Sequence, residues 1–294
     1  MDRVFLTVAP HAHLNHVRRR LGPFARLVKE YSMRRRSLFL AVGVVLALGF
    51  SPTRRDAWRA PRGADGHADL SGIWEALNAA NWDLEDHSAH AGTMWETGAI
   101  GAEPAGLGVV EGGVIPYLPA ALETKKTNFS NRRTNDPEAK CYMPGIPRAN
   151  YMPYPFQIVQ SPRGILFVYE FASANRFINM GKPVEAVSDS WMGTNNGRWE
   201  GETLVVDVTG LNGLAWFDRA GDFASDNLHV VERFMRTDRD HLQYEATIED
   251  KTVFSRPWKI SMPLYRRVES NARLLEFKCV EFAEELLYGQ YKKN

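Results

Sequence analysis

The residues best suited to chemistry lie close together in the last third of the chain, in the loop Trp216-Phe217-Asp218-Arg219 and the stretch after it. A histidine exchanges a proton near neutral pH, and a nearby carboxylate fixes its tautomer. We therefore take four residues as candidate catalytic groups: Asp218, Arg219, His229 and Glu232. The base would be Asp218 or His229, and Arg219 would stabilise an anion. In the structural alternative, Asp218 pairs with Arg219, and either Glu232 or Arg233 lies on an exposed strand face.

A second group of residues suits ligand binding. Tyr169 lies near the end of a predicted strand and offers a hydroxyl, and Arg176 follows it as an alternative anion stabiliser. The candidate ligand-binding residues are Tyr169, Arg176, Trp191, Trp216 and Tyr244. The alternative assigns these large side chains to core packing, with each tyrosine hydroxyl bonded inside the protein.

Other chemistries have no support in the sequence. No Gly-rich phosphate loop precedes a helix, and the pattern Gly-x-Ser-x-Gly is absent. A weak metal-ligand pattern consists of His67, Asp83, Glu85, Asp86, His87 and His90. We interpret these as solvated loop residues, and we predict no metal and no cofactor.

The two cysteines, Cys141 and Cys279, lie far apart in the chain. An even count permits a disulfide in an oxidising compartment, whereas isolated cysteines lack the paired spacing of a zinc or redox motif. The alternative is two buried thiols, which behave as small apolar side chains. We predict the disulfide.

Alternating apolar and polar residues predict the strands that position these groups. Two hairpins are expected, one from 156–160 and 165–171 and the other from 229–236 and 241–249. Further strands are predicted at 69–74, 176–180, 190–192, 203–208, 258–265 and 273–280, before a short helix at 281–291. Because short turns join these strands without helices, we predict a mainly β fold, an antiparallel meander closing into a calycin-like up-and-down barrel. Such a barrel can enclose one small apolar ligand.

The start of the chain is typical of an exported protein. A basic run at 33–37 precedes an apolar run at 38–50, which is too short to span a bilayer. We predict a signal peptide at about Met33 to Gly49, and its Arg35-Arg36 pair also fits a loose twin-arginine pattern. The predicted organisation is an unfolded upstream extension at 1–32, the signal segment at 33–50, a linker at 51–68, and one barrel domain at 69–294 with an irregular insertion at 79–150.

Charge and composition restrict the partners. The formal net charge is +1 with acids and bases interspersed, so the chain has no basic footprint for nucleic acid. Aromatic residues make up 11% of the chain, and they line apolar ligand cavities as well as cores. We predict a small apolar or aromatic molecule as partner, without nucleic acid and without a stable membrane span.

Several motifs resemble a known family. They are 140–148 (KCYMPGIPR), 152–160 (MPYPFQIVQ), 197–201 (GRWEG), 216–221 (WFDRAG) and 229–233 (HVVER). The chain resembles a family of exported soil-bacterial proteins, and the likeness covers nearly all of the mature chain. The resemblance implies export and a lipocalin-like barrel, and it implies no particular activity.

Three functional hypotheses follow from a barrel with these residues. In the first, the protein is a cofactor-independent lyase, isomerase or cyclase that uses acid–base groups. In the second, it is a periplasmic binding or carrier protein with the same cavity and no turnover. A third hypothesis is a structural domain with a filled barrel. Convergence of the candidate catalytic residues on one cavity would favour the enzyme, and scattered placement would favour carriage or structure.

Overall fold

The computed structural model describes residues 58–291. The predicted upstream extension, the signal peptide and the first part of the linker, to residue 57, lie outside the described residues. No helix within 58–291 combines the length and apolar character needed to cross a membrane.

Eleven strands occur in the described part of the chain. They are β1 (Gly72–Glu75), β2 (Asp86–His87), β3 (Gly106–Leu107), β4 (Phe156–Ser161), β5 (Gly164–Tyr169), β6 (Asn175–Ile178), β7 (Thr194–Glu200), β8 (Thr203–Thr209), β9 (His229–Arg236), β10 (His241–Glu249) and β11 (Trp258–Arg266). Strands β2 and β3 pair only with each other, and the other nine form one sheet in the order β6-β5-β4-β1-β11-β10-β9-β8-β7. The predicted hairpins are confirmed as β4–β5 and β9–β10.

The nine-stranded sheet nearly closes into a barrel. Strand β1 pairs antiparallel with both β4 and β11, so neighbours around the barrel follow the order of the chain. An odd number of alternating strands cannot close with antiparallel pairs alone, and here β6 and β7 run parallel. They meet at a single parallel bridge between Asn179 and Asn196, where the Asn179 N–H donates to the Asn195 carbonyl at 3.0 Å. The predicted mainly β, up-and-down barrel is confirmed.

The period-two pattern of the strands determines what faces the interior. On β10, Leu242, Tyr244, Ala246 and Ile248 are all fully buried, because alternate residues of a strand point to the same face. Trp74 of β1 is also fully buried, and its indole N–H donates to the Leu70 carbonyl at 2.9 Å. Large apolar side chains therefore fill most of the interior.

The region predicted as an irregular insertion contains helices that the sequence pattern did not reveal. They are α1 (Pro119–Ser130) and α2 (Arg132–Asn135). Helix α1 buries only Ala121, so it has no apolar period for sequence analysis to detect. It packs closely on Gly221, where a Cβ would lie 2.7 Å from the Asn128 Cβ.

The C-terminal segment lies outside the barrel. The strand predicted at 273–280 is wrong, because this segment pairs with no strand; the Leu275 N–H donates instead to the Glu170 carboxylate at 2.7 Å. The predicted short helix is confirmed as α3 (Ala283–Tyr288), followed by a 3-10 turn at Gly289–Tyr291. The predicted disulfide is also confirmed: Cys141 and Cys279 are bonded, with their Cα atoms 5.7 Å apart. It ties this segment to the insertion.

Candidate functional site

A buried polar group, here called the interior cluster, occupies part of the barrel core. Glu232 of β9 forms an ion pair with Arg176 of β6, at 2.5 Å between Oε2 and Nη1. The Tyr244 hydroxyl of β10 donates to Glu232 Oε1 at 2.8 Å. Tyr169 of β5 is buried beside them. Glu232 faces inward because it alternates on its strand with the outward-facing Arg233.

Two asparagines complete the interior cluster. Asn150, in the 3-10 turn Arg148–Asn150, donates to Glu232 Oε1 at 2.6 Å and accepts from the Tyr169 hydroxyl at 2.9 Å. Asn195 of β7 accepts from Arg176 Nη1 at 3.1 Å. Sequence reasoning missed both asparagines, because neither stands in a spacing typical of a site. The cluster is thus held together by hydrogen bonds between its own members.

The electrostatics of the interior cluster follow from burial and from one ion pair. Burial, and then the charge of Glu232, raise the pKa of Tyr244 well above its ordinary value. Burial also raises the pKa of Tyr169, so both phenols remain protonated donors. Burial alone would lower the pKa of Arg176, but attraction to Glu232 outweighs it and raises that pKa. The cluster is therefore a guanidinium–carboxylate pair beside two neutral phenols.

A cleft at the β6/β7 seam reaches this cluster. Its volume is about 380 Å³, and its polar lining includes Asn179, Ser190, Thr194 and two cluster residues, Arg176 and Asn195. Arg176 Nε is buried and has no hydrogen-bond partner within the described residues. One donor of the interior cluster is therefore unused within the described residues.

Asp218 lies in a different group of carboxylates, here called the acidic cluster. Asp83, Asp218 and Asp222 place carboxylate oxygens within 4.8 Å of one another. Asp218 is fully buried and accepts hydrogen bonds from the N–H groups of Leu84 at 2.9 Å and Asp222 at 3.1 Å. Burial, followed by the charges of Asp222 and Asp83, raises the pKa of Asp218 well above its ordinary value. Asp218 therefore does not form the local pair with Arg219 that the structural alternative predicted.

Arg219 points away from Asp218. Its Nη2 pairs with Glu138 at 2.7 Å, and its guanidinium carbon lies 4.4 Å from the centroid of the Trp82 ring. Glu138 also pairs with Arg148 at 2.5 Å. Burial would raise the pKa of Glu138, but the two guanidinium groups, Arg219 first, lower it to about 2. Glu138 thus stays ionised well below the pH at which a free glutamate is protonated.

This depressed pKa predicts how the stability of Glu138→Gln depends on pH. A carboxylate whose pKa is lower in the folded state contributes stability that is complete above its ordinary pKa of 4.5 and is lost as pH falls towards about 2. We expect the variant to be less stable than the parent by about 3 kcal/mol near pH 6, and the difference to shrink towards pH 2. Urea unfolding across this range measures it. The exposed Glu123→Gln is the matched control, for which a pH-independent result is expected.

A second cavity, here called the outer cavity, lies beside this ion-pair network. Its volume is about 330 Å³, and none of its lining residues belongs to a strand. One part of the lining is aromatic (Tyr154, Phe171 and Phe277), another is basic (Arg132, Arg133, Arg219 and Lys278), and a third is acidic (Asp136, Glu138, Glu284 and Glu285). Cys279 also lines it, so the disulfide anchors one wall.

The remaining candidates lie elsewhere. His229 is partly exposed, and its Nε2 lies 3.1 Å from Asp207 of the neighbouring strand. It faces outward because its neighbour Val230 faces the core. Trp191 and Trp216 line a crevice of about 10 Å³, which has room for no more than a water molecule.

The structure thus brings together Glu232, Tyr169, Arg176 and Tyr244, and it separates them from Asp218, Arg219 and His229. The four candidate catalytic residues do not converge on one cavity. Comparisons with protein-family models, curated proteins and solved structures find no match to this chain.

Proposed function

We propose that this protein is exported and that it binds a small aromatic molecule bearing an acidic group, as a binding or carrier protein. The observation that carries the proposal is the outer cavity, in which an aromatic wall occurs together with Arg132, whose contact with Glu103 lies beyond hydrogen-bond distance. The disulfide supports export, because such bonds persist in oxidising compartments.

The aromatic wall suits a flat apolar group. The ring centroids of Phe171 and Phe277 are 4.8 Å apart, and Tyr154 lies 5.5 Å from the first and 5.1 Å from the second. These separations are typical of interacting aromatic rings. A volume of about 330 Å³ is within the range of cavities that hold small organic ligands. A flat group of one or two fused aromatic rings with a short side group would therefore fit the cavity.

Arg132 is the basic lining residue that suits an anion, because Arg133 and Arg219 already pair with lining carboxylates. Arg132 Nε is buried without a hydrogen bond, and Glu103 Oε1 lies 3.8 Å from it, beyond hydrogen-bond distance. Leaving a buried donor unsatisfied costs about 1–3 kcal/mol. A carboxylate or sulfonate on the ligand would pair with the guanidinium of Arg132, and the hydrogen bond would be charge-assisted.

Binding is favoured over catalysis because the candidate acid–base groups are already bonded to one another. Glu232 accepts hydrogen bonds from Asn150 and Tyr244 and pairs with Arg176. A general base must reach the proton that it removes, and this carboxylate is enclosed.

A second candidate function is a cofactor-independent lyase, isomerase or cyclase at the β6/β7 seam. The observation that favours it is Arg176 Nε, a buried donor without a partner on a residue that lines the seam cleft. In this reaction Arg176 would stabilise an anion, whereas Tyr169 as hydrogen-bond donor and Glu232 as base would first have to exchange their bonds within the interior cluster for bonds to the substrate.

The proposal is tested by titrating the full chain with 1-naphthoate and with its uncharged amide and measuring each affinity by calorimetry. We expect the anion to bind at least tenfold more tightly, and Arg132→Met to remove this preference. Phe277→Ala should weaken both ligands at least tenfold. The matched control is Phe177→Ala, which removes an exposed ring from the seam cleft.

Three outcomes would contradict the proposal. Weakening by Phe177→Ala but not by Phe277→Ala would place the ligand at the seam and favour the second candidate. Equal affinity for the anion and the amide would remove the role of Arg132. No binding of either ligand, with no small molecule retained in native mass spectra of the purified protein, would favour a structural barrel.

A further inference from the structure

The acidic cluster gathers three carboxylates from two loops. Asp83 follows β1, whereas Asp218 and Asp222 lie between β8 and β9. Asp218 and Asp222 are fully buried, and Asp83 is partly exposed at one side of the group. Their oxygens lie within 4.8 Å of one another. Like charges at this separation repel strongly in a buried place, so the folded protein compensates them with a bound proton or with a positive charge.

A second observation concerns Asp222. Its Oδ1 accepts a hydrogen bond from the Tyr117 hydroxyl at 2.8 Å. Its Oδ2 is buried and, within the described residues, accepts no hydrogen bond. The ammonium of Lys125 lies 3.6 Å from this oxygen, which is an ion-pair contact without a hydrogen bond. One ammonium faces three carboxylates, and a buried acceptor remains available.

We propose that Asp83, Asp218 and Asp222 bind a hard divalent cation of the Ca²⁺ or Mg²⁺ class. These ions prefer oxygen ligands, and Ca²⁺ binds them at about 2.3–2.6 Å, so two ligands of one ion are separated by less than about 5 Å. The carboxylate spacing satisfies this limit. Water would complete the coordination on the partly exposed side, at Asp83. The bound ion would link the loop after β1 to the loop that carries Asp218.

The test is to titrate the full chain with calcium and with magnesium after treatment with EDTA. Calorimetry measures binding, and thermal unfolding measures the change in Tm. At saturation with either ion we expect Tm to rise by about 5 °C or more. Asp83→Asn should weaken binding at least tenfold, and this partly exposed position tolerates the change. The matched control is Asp86→Asn, which removes an exposed charge three residues further along the chain, on β2, and should bind the ion as the parent does.

Lys125→Met separates the bound ion from the alternative that Lys125 itself is the counter-ion. We expect this variant to bind Ca²⁺ or Mg²⁺ at least as tightly as the parent, because a competing positive charge is removed. The relative response to the two ions identifies the preferred one. The proposal is overturned if neither ion binds the parent or Lys125→Met at millimolar concentration, or if Asp86→Asn abolishes binding while Asp83→Asn does not.

Discussion

Arg176→Met is expected to lower the free energy of unfolding by about 3–5 kcal/mol, because the change leaves Glu232 buried without its countercharge. Both side chains are almost fully buried, and Glu232 is the acceptor on which Asn150 and Tyr244 converge. For a domain of this size the loss corresponds to a fall in Tm of about 10 °C. Urea unfolding followed by tryptophan fluorescence measures it.

Two controls distinguish a buried ion pair from loss of a charge in general. Arg233→Met removes the residue next to Glu232 on β9. The ion pair of Arg233 with Glu200, at 2.8 Å, is exposed, so we expect stability to change little. The double variant Arg176→Met/Glu232→Leu removes both buried charges, and we expect it to be more stable than Arg176→Met alone. Equal losses in Arg176→Met and Arg233→Met would show that the buried pair has no special role.

Most of the barrel was predictable because most strands carry their own signal; the exceptions are β7, which was not predicted, and 190–192, which was predicted as a strand but forms only an isolated bridge from Ser190 to Leu211. On β10 a period of two separates Leu242, Tyr244, Ala246 and Ile248 from the polar residues between them, whereas on β9 the pattern left open which of Glu232 and Arg233 faces inward. Short turns between successive strands then determine the order around the barrel. Local pattern was sufficient here because the fold joins neighbours in the chain.

The grouping of the site residues was not predictable, because loops determine it. Asp218 and Arg219 are adjacent in sequence, yet one joins Asp83 in the acidic cluster and the other joins Glu138 beside the outer cavity. Asn150 reaches the interior cluster from a 3-10 turn. No periodic pattern encodes such contacts, since they depend on how irregular segments fold back on the barrel.

The same limit explains the error at 273–280. Alternating residues such as Leu275 and Phe277 suggested a strand, but a strand needs a free edge to pair with, and β11 is already paired with β1 and β10. The segment instead packs Phe277 on Tyr154 and Phe171 and forms a wall of the outer cavity. An apolar alternation therefore indicates burial, and the available edges decide whether it becomes a strand.

Replacing Cys141 and Cys279 together by serine is expected to destabilise the protein by about 4–5 kcal/mol and to release the C-terminal segment. The disulfide closes a loop of 138 residues, and the chain-entropy model gives a large effect for so long a loop. The fall in Tm should be about 10 °C. Limited proteolysis below that temperature should cleave the segment after β11 while the barrel stays intact.

The disulfide also links stability to the proposed ligand. Cys279 and Phe277 belong to one wall of the outer cavity, so the serine variant should lose affinity for 1-naphthoate even where its barrel remains folded. Glu170→Gln is the matched control, because it weakens the hydrogen bond to the Leu275 N–H but leaves the disulfide in place; near-parent binding and proteolysis are expected. If the serine variant resists proteolysis and retains binding, side-chain contacts alone hold the C-terminal segment in place. Those contacts are the ion pair between Arg133 and Glu285 and the packing of Phe277 on Phe171.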